Sequence, residues 1–218
     1  MKTITVKGMG KISVSPDLIV ISMKLETKNK EYDKTMESAS EKIELLNTSL
    51  ENIGFEKNSV KTTAFKVRTD YESVKTKDGV YKSVFSGYAC NHNLKIEFDF
   101  DTKRLSEVIS TISKCLAKPE LSISFTVKDP SKISRDLLIS ASKNAKQKAE
   151  ALCEASNVKL GDLISIDYNW GELNLLSDTD YRIESRLMMK SEACLANVEI
   201  SPDDVNVSDT ATFVWEIV

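Results

Sequence analysis

The first predicted strand carries two glycines spaced two residues apart and ends at a proline, a pattern that strongly constrains the fold. It lies within residues 6–17, VKGMGKISVSPD. Gly8 and Gly10 lack a Cβ, which inside an alternating strand indicates either a bulge or the close approach of another backbone segment. Pro16 has no N–H to donate and ends the strand, and Asp17 completes the turn. We therefore predict structural roles for these four residues.

The next two segments change from the period of a strand to that of a helix. Apolar residues at every second position from Ile19 to Leu25 predict a strand that returns on the first as an antiparallel hairpin. From Tyr32 to Ile53 the apolar residues recur every three or four positions, which predicts a long helix closed by Gly54.

A long hairpin is predicted in the middle of the chain. Residues 60–71 and 80–98 alternate as strands, and Lys77, Asp78 and Gly79 supply the turn between them. The second strand is interrupted at Gly87, which Tyr88 follows. We expect this pair of strands to project as an arm.

The remaining chain adds two helices and four strands. Asp101 is placed to cap a helix that Pro119 bars from continuing, and Asp129 caps a helix that begins at Pro130 and ends near Ser156. Strands are predicted over residues 121–127, 164–170, 193–200 and 211–217, with a mobile loop at 171–190. The order ββαββαβαβββ predicts an α+β fold, a largely antiparallel sheet with long hairpins covered by about three helices.

Composition indicates an ordinary globular protein. The 218 residues carry a net charge of −3, which gives no overall attraction to nucleic acid, and no apolar run approaches the length that spans a bilayer. We expect neither nucleic acid nor an integral membrane segment. The chain as written is expected in the cytoplasm, or in the periplasm or at the cell surface if a signal peptide has been removed.

The cysteines and the single histidine give one candidate chemical site. The four cysteines show no paired spacing and suit reduced, buried thiols, although Cys90 and Cys194 could cross-link if their strands were neighbours. Cys90 and His92 share one strand face, but residues at i and i+2 lie nearly 7 Å apart, too far for a good nucleophile and base pair. A buried thiol beside a hydrogen-bonded histidine is the simpler interpretation, and no cofactor or metal is predicted.

Two features of the long 130–156 helix carry charge. Lys148 falls among the alanines of the apolar face, so it must either extend to the surface or find a partner, and a desolvated lysine could act as a base. An edge-of-core lysine or a subunit contact is the interpretation we prefer. Lys132, Arg135, Lys143 and Lys146 form a basic stripe on the opposite side, which is either a solvated face or a docking surface for an acidic partner or a second subunit.

The order of these motifs resembles the SIMPL domain family, DUF541. The resemblance covers essentially the whole chain and rests on five segments, each in the expected order. They are the Gly8/Gly10 strand with Pro16-Asp17, Ile53-Gly54 before Val60-Lys61-Thr62, Gly87-Tyr88-Ala89 before Leu94, residues 144–152 with Leu160-Gly161, and the final strand 213–217.

The resemblance implies no established reaction, no cofactor and no catalytic residues. The family's bacterial members include periplasmic or surface-associated immunogens and oxidative-stress-defence proteins, and some members assemble into larger oligomers. We therefore expect one SIMPL domain over residues 1–218, which the pattern also allows to be two intertwined α/β halves, about 1–100 and 101–218. The expected function is that of a non-enzymatic homo-oligomer, with a protein partner and a role in stress tolerance or scaffolding. The alternative is a small-molecule binder or unrecognised enzyme with a pocket near Cys90 and His92 or the 171–190 loop.

Overall fold

Three helices and eight strands form an α+β fold in the computed structural model of the chain, which describes residues 2–75, 78–169, 171, 173–179, 181–183 and 200–218. The predicted fold class is confirmed. In chain order the elements are β1 (Lys2–Val14), β2 (Leu18–Asn29), α1 (Tyr32–Glu51), β3 (Lys61–Lys75), β4 (Tyr81–Asp99), α2 (Thr102–Lys114), β5 (Glu120–Thr126), α3 (Pro130–Ala155), β6 (Leu160–Asp167), β7 (Tyr181–Ile183) and β8 (Val205–Ile217).

The strands form two sheets, and the predicted hairpin between the first two strands is wrong. β1 pairs antiparallel with β8 along its whole length, in a sheet ordered β1-β8-β6. β2 pairs with β4, in a second sheet ordered β3-β4-β2-β5-β7. The two strands separate because their inner faces meet different helices: the glycines of β1 lie against α3, whereas the alternating apolar face of β2 is buried in the sheet that α1 covers.

The chain divides into two compact units. One comprises residues 1–17, 125–179 and 202–218, and the other comprises residues 18–124 and 180–201. In the first unit, Ala145 and Ala149 of α3 pack on Phe213 and Trp215 of β8. Phe213 and Trp215 stack with ring centroids 5.5 Å apart. The division into halves near residue 100 stays a prediction.

The helices begin where the sequence predicts them. The Asp101 carboxylate accepts hydrogen bonds from the backbone N–H groups of Lys103 and Arg104, at 2.8 and 3.1 Å. The Asp129 carboxylate accepts one from the N–H of Lys132 at 3.0 Å, with Pro130 in the first turn of α3. Both caps satisfy backbone donors that a helix leaves free at its N-terminus.

The C-terminal third differs most from the prediction. β6 begins at Leu160 and ends at Asp167, and β8 begins at Val205 rather than near Ala211. Part of the predicted 171–190 loop is bonded to β5: Leu176 forms a bridge with Thr126, and Tyr181–Ile183 forms β7. The predicted strand at 193–200 lies outside the described residues except for Ile200, and so does Cys194.

We expect Gly10→Ala to destabilise the protein. A Cβ at residue 10 would overlap the backbone carbonyl oxygen of Leu137, and neither backbone can move without disturbing the packing between β1 and α3. Overpacking of this kind costs about 1–3 kcal/mol. The measurement is the free energy of unfolding from urea titration.

The matched control for Gly10→Ala is Gly171→Ala, because a Cβ at residue 171 meets no atom within 4 Å. The control should leave the urea midpoint unchanged or raise it slightly, since alanine lowers the entropy of the unfolded chain. Equal urea midpoints for the two variants would contradict the close approach of β1 and α3.

Candidate interaction site

The structure brings Gly8, Gly10 and Lys148 together where β1 crosses α3. A Cβ at residue 8 would overlap the carbonyl oxygen of Ala141 and lie 2.7 Å from the Cβ of Ala145. Of the two structural alternatives for the glycines, the close backbone approach is therefore confirmed. β1 runs without a register break against β8 at this point.

Three side chains of α3 bond to the outer edge of β1. The backbone N–H of Met9 donates to the Asn144 side-chain oxygen at 3.0 Å, and that of Lys11 lies 3.5 Å from the Ser140 hydroxyl oxygen. The Lys148 ammonium donates to the carbonyl oxygen of Lys7 at 3.1 Å. We call Ser140, Asn144 and Lys148 the edge ladder.

The edge ladder can form because the spacing of its side chains along α3 nearly equals the spacing of the backbone groups that they contact along β1. Its members are four residues apart, about 6 Å along a helix. The backbone groups that they contact are two residues apart, about 6.7 Å along a strand. Polar side chains of α3 thus occupy the edge of β1, the side of a sheet on which another strand could pair.

Lys148 is exposed and lies beside the buried row of α3, not within it. The buried residues recur at every fourth position, as Ala141, Ala145, Ala149 and Cys153. The position of Lys148 supports an edge-of-core lysine and argues against a desolvated base. Sequence reasoning missed Ser140 and Asn144, although their spacing parallels that of the alanines.

Pro16 and Asp17 fix the chain as it leaves β1. Pro16 is buried, and the backbone N–H of Asp17 donates to the carbonyl oxygen of Thr126 at 3.1 Å. The Asp17 carboxylate accepts from the N–H of Lys128 at 2.8 Å. Asp17 therefore joins the end of β1 to the end of β5.

The structure confirms the long hairpin of β3 and β4. Gly87 and Tyr88 lie where this hairpin extends beyond the end of β2, at the base of its projecting part. Gly87 has a φ of 146°, and a Cβ there would overlap the carbonyl oxygen of Asn29. The register of β3 against β4 shifts beside it, between Asp70 and Tyr71. An extra residue in β4 and a left-handed glycine together turn the hairpin at this point.

An ion pair also lies at this base. The Lys28 ammonium is 2.9 Å from the Asp70 carboxylate. The hydrogen bond to Asp70 raises the pKa of Lys28, and the same bond lowers the pKa of Asp70. Both groups are therefore charged across the neutral range.

Beyond Gly87 the hairpin exposes aromatic and aliphatic side chains. We call residues 71–75 and 81–86 the arm; none of its residues is buried. Tyr71 is 56% exposed and Tyr81 is 67% exposed. The rings of Tyr71 and Phe85 meet edge to face at 5.9 Å, and Phe85 meets Tyr88 at 5.4 Å. A row of aromatic rings thus follows the arm from its base.

Cys90 and His92 are both buried, on the face of β4 that also carries Leu94 and Ile96. His92 Nε2 lies 2.8 Å from the Thr62 hydroxyl, and its ring meets Phe65 edge to face at 5.0 Å. Its Nδ1 is buried and has no hydrogen-bond partner within the described part of the chain. Burial raises the pKa of the Cys90 thiol and lowers the pKa of His92.

No hydrogen bond joins the His92 imidazole to the Cys90 thiol within the described residues, and a thiol with a raised pKa is mostly in the less reactive, protonated form. Clefts of about 390–660 Å³ open on α1, on α3, between β1 and α3 and beside α2, and these are lined by residues other than Cys90 and His92. No group of three or more metal-ligating side chains is found in the described ranges. No helix of the described chain is long and apolar enough to cross a membrane.

These contacts define an α+β protein whose candidate functional features are surfaces. One is the edge of β1, which side chains of α3 cover, and the other is the exposed aromatic arm of β3 and β4. The family model of SIMPL, described as a protein of unknown function (DUF541), matches residues 4–215. The chain belongs to the SIMPL family. No curated protein matches it.

His92 predicts a loss of stability in mild acid. The unfolded chain protonates its histidine below about pH 6.5, whereas the folded protein holds His92 neutral to a lower pH. The unfolded state then binds more protons, so the free energy of unfolding falls as the pH falls, by up to about 1.4 kcal/mol per pH unit. Urea titrations between pH 7.5 and pH 5 measure this slope.

The control is His92→Gln, which removes the only histidine of the chain and keeps a polar side chain. It should lower stability at every pH but flatten the slope in this range, above the titration of most carboxylates. A slope unchanged in His92→Gln would show that another group is responsible.

Cys90 should react slowly with iodoacetamide in the folded protein. Its side chain is buried and its pKa is raised, so both access and the thiolate fraction are low. In a Cys194→Ser background, peptide mass spectrometry should show labelling of Cys90 at least about tenfold slower than of glutathione in the same tube. Urea should abolish the difference, whereas fast labelling of the native protein would support a reactive thiol.

Proposed function

We propose that this SIMPL protein is a non-enzymatic homo-oligomer and that the arm is an assembly surface. The observation that carries the proposal is the exposure of the arm on both of its faces. Tyr71 and Phe85 lie on one face, and Val74 and Val84, each about half exposed, lie on the other. A two-stranded ribbon without a covered face is marginally stable in water. Covering these side chains with a second copy removes apolar surface from water and stabilises the ribbon.

The position of β3 supports the same proposal. β3 is the end strand of its sheet and spans Lys61–Lys75, longer than most strands in globular proteins. An end strand leaves backbone N–H and C=O groups available for pairing. The arm therefore offers both apolar side chains and backbone hydrogen bonds to a partner.

The chemistry of the described residues favours assembly over catalysis. The cysteine and histidine that share a face are buried and neutral, and the lysine singled out on α3 bonds to a backbone carbonyl. A scaffold or stress-tolerance role, in which the assembled surface contacts another protein, is the cellular function that we attach to this proposal.

Light scattering after size-exclusion chromatography tests the proposal. The wild-type chain, with reductant present, should elute as a discrete multimer that survives dilution to low micromolar concentration. Tyr71→Ser with Tyr81→Ser should weaken the assembly at least about tenfold, because two aromatic side chains are lost from a packed interface. Circular dichroism verifies that the variant is folded.

Leu116→Ser with Leu152→Ser is the matched control. Leu116 is 76% exposed and Leu152 is 52% exposed, and both lie outside the arm. This variant should keep the wild-type mass. A wild-type monomer at every concentration would overturn the proposed function.

A further inference from the structure

Two helices of this chain carry rows of exposed charge of opposite sign. On α1, the exposed carboxylates Glu37, Glu41, Glu44 and Glu51 lie at i, i+4, i+7 and i+14. This spacing puts all four on one face of the helix, away from its buried residues Ala39, Leu46 and Leu50. We call them the acidic stripe.

The lysines of α1 do not neutralise the acidic stripe. Lys34 pairs with Glu31 at 2.7 Å, before the helix begins, and Lys42 donates to the backbone carbonyl of Glu26 at 2.7 Å. Neighbouring carboxylates at i, i+3 and i, i+4 repel one another and weaken a helix. A cationic partner would remove this repulsion.

The complementary row is the basic stripe of α3. Lys132, Arg135, Lys143 and Lys146 are exposed on the side of α3 away from the buried Ala141 and Ala145. Lys146 approaches Glu150 at 3.9 Å, an exposed contact at the outer limit of an ion pair. The other three cations form no ion pair within the described ranges.

The two stripes have the same length, since the first and last residue of each are fourteen positions apart, about 21 Å along the helix. Each also has an exposed aliphatic residue beside its charges: Leu45 on α1 is 42% exposed, and Ile139 on α3 is 47% exposed. Apolar contact flanked by opposite charges is the pattern by which helices select partners in coiled coils.

We propose that the acidic stripe of one copy docks along the basic stripe of a second copy. Charge complementarity, equal length and the exposed aliphatic residue beside each stripe support a second copy as the partner. The contact joins different surfaces of the two copies, so it is head to tail and leaves one stripe free at each end until a ring closes or a filament grows. The inference rests on the proposed function, because it assigns a second contact to the same homo-oligomer.

Charge reversal with exchange of partners tests the inference. Glu41→Lys with Glu44→Lys cancels the net charge of the four residues of the acidic stripe, and Lys143→Glu with Lys146→Glu cancels that of the four residues of the basic stripe. Each double variant alone should lose at least about tenfold in association, since the two reversed charges repel the unaltered stripe and the net attraction is lost. Mixed in equal amounts, the two variants should associate again, because the unaltered acidic stripe of one variant can dock on the unaltered basic stripe of the other.

The matched controls reverse as many exposed charges outside both stripes. Glu56→Lys with Asp162→Lys and Lys103→Glu with Lys159→Glu should keep the wild-type mass at 0.15 M salt. Raising the salt concentration should weaken the wild-type association and leave the Tyr71 and Tyr81 contacts of the arm less affected.

The outcomes separate this inference from the proposed function. If both stripe variants keep the wild-type multimer, or if their mixture fails to reassemble, the docking of α1 on α3 is wrong while the homo-oligomer stands. If the wild-type chain is a monomer at all concentrations, the proposed function itself fails. Recovery of the multimer only in the mixture supports the inference.

Discussion

The close approach of α3 to β1 is the contact on which the rest of the first unit depends. Gly8 and Gly10 have no side chain between their backbone and α3. On α3 they face Ala141 and Ala145, whose side chains are the smallest that still have a Cβ. A helix normally keeps its distance from a sheet because side chains from both fill the space between them. Here the backbones nearly touch, which brings the polar flank of α3 within hydrogen-bond distance of the edge of β1.

The same contact determines which sheet edge remains available for pairing with a strand of another chain. The edge ladder occupies the outer edge of β1, while the register of β6 against β8 is interrupted between Leu160 and Ser165, and such irregularity discourages pairing by another chain. Along the arm the side chains of β3 are exposed, and no side chain of the described residues covers its edge as the edge ladder covers β1. Protection of one edge and exposure of another is consistent with the proposed assembly through the arm.

The sequence predicted those features that depend on neighbours along the chain. Periodicity placed the helices within a few residues, and Asp101 and Asp129 marked their starts because a cap acts only on the next few N–H groups. Pairing between distant strands was not predictable in this way. Ser15, Pro16 and Asp17 suggest a tight turn between two neighbouring strands, yet β1 pairs with β8 about two hundred residues away, because sheet membership is set by which helix each strand face can bury against.

Some features of the candidate surfaces could likewise be predicted from neighbours along the chain, whereas others depend on tertiary packing. The basic stripe can be predicted from residue spacing alone, since helical geometry determines which residues share a face. Ser140 and Asn144 look like ordinary solvent-facing residues until the glycines bring an unpaired strand edge to them. Exposure of the arm is likewise a tertiary property: Tyr71 and Phe85 have the strand propensity of core residues, and they are exposed because no helix of the described residues packs over this part of β3 and β4. The proposed function therefore depends on what packing leaves uncovered, and the proposed contacts of a second copy are with exposed side chains of α1, α3 and the arm.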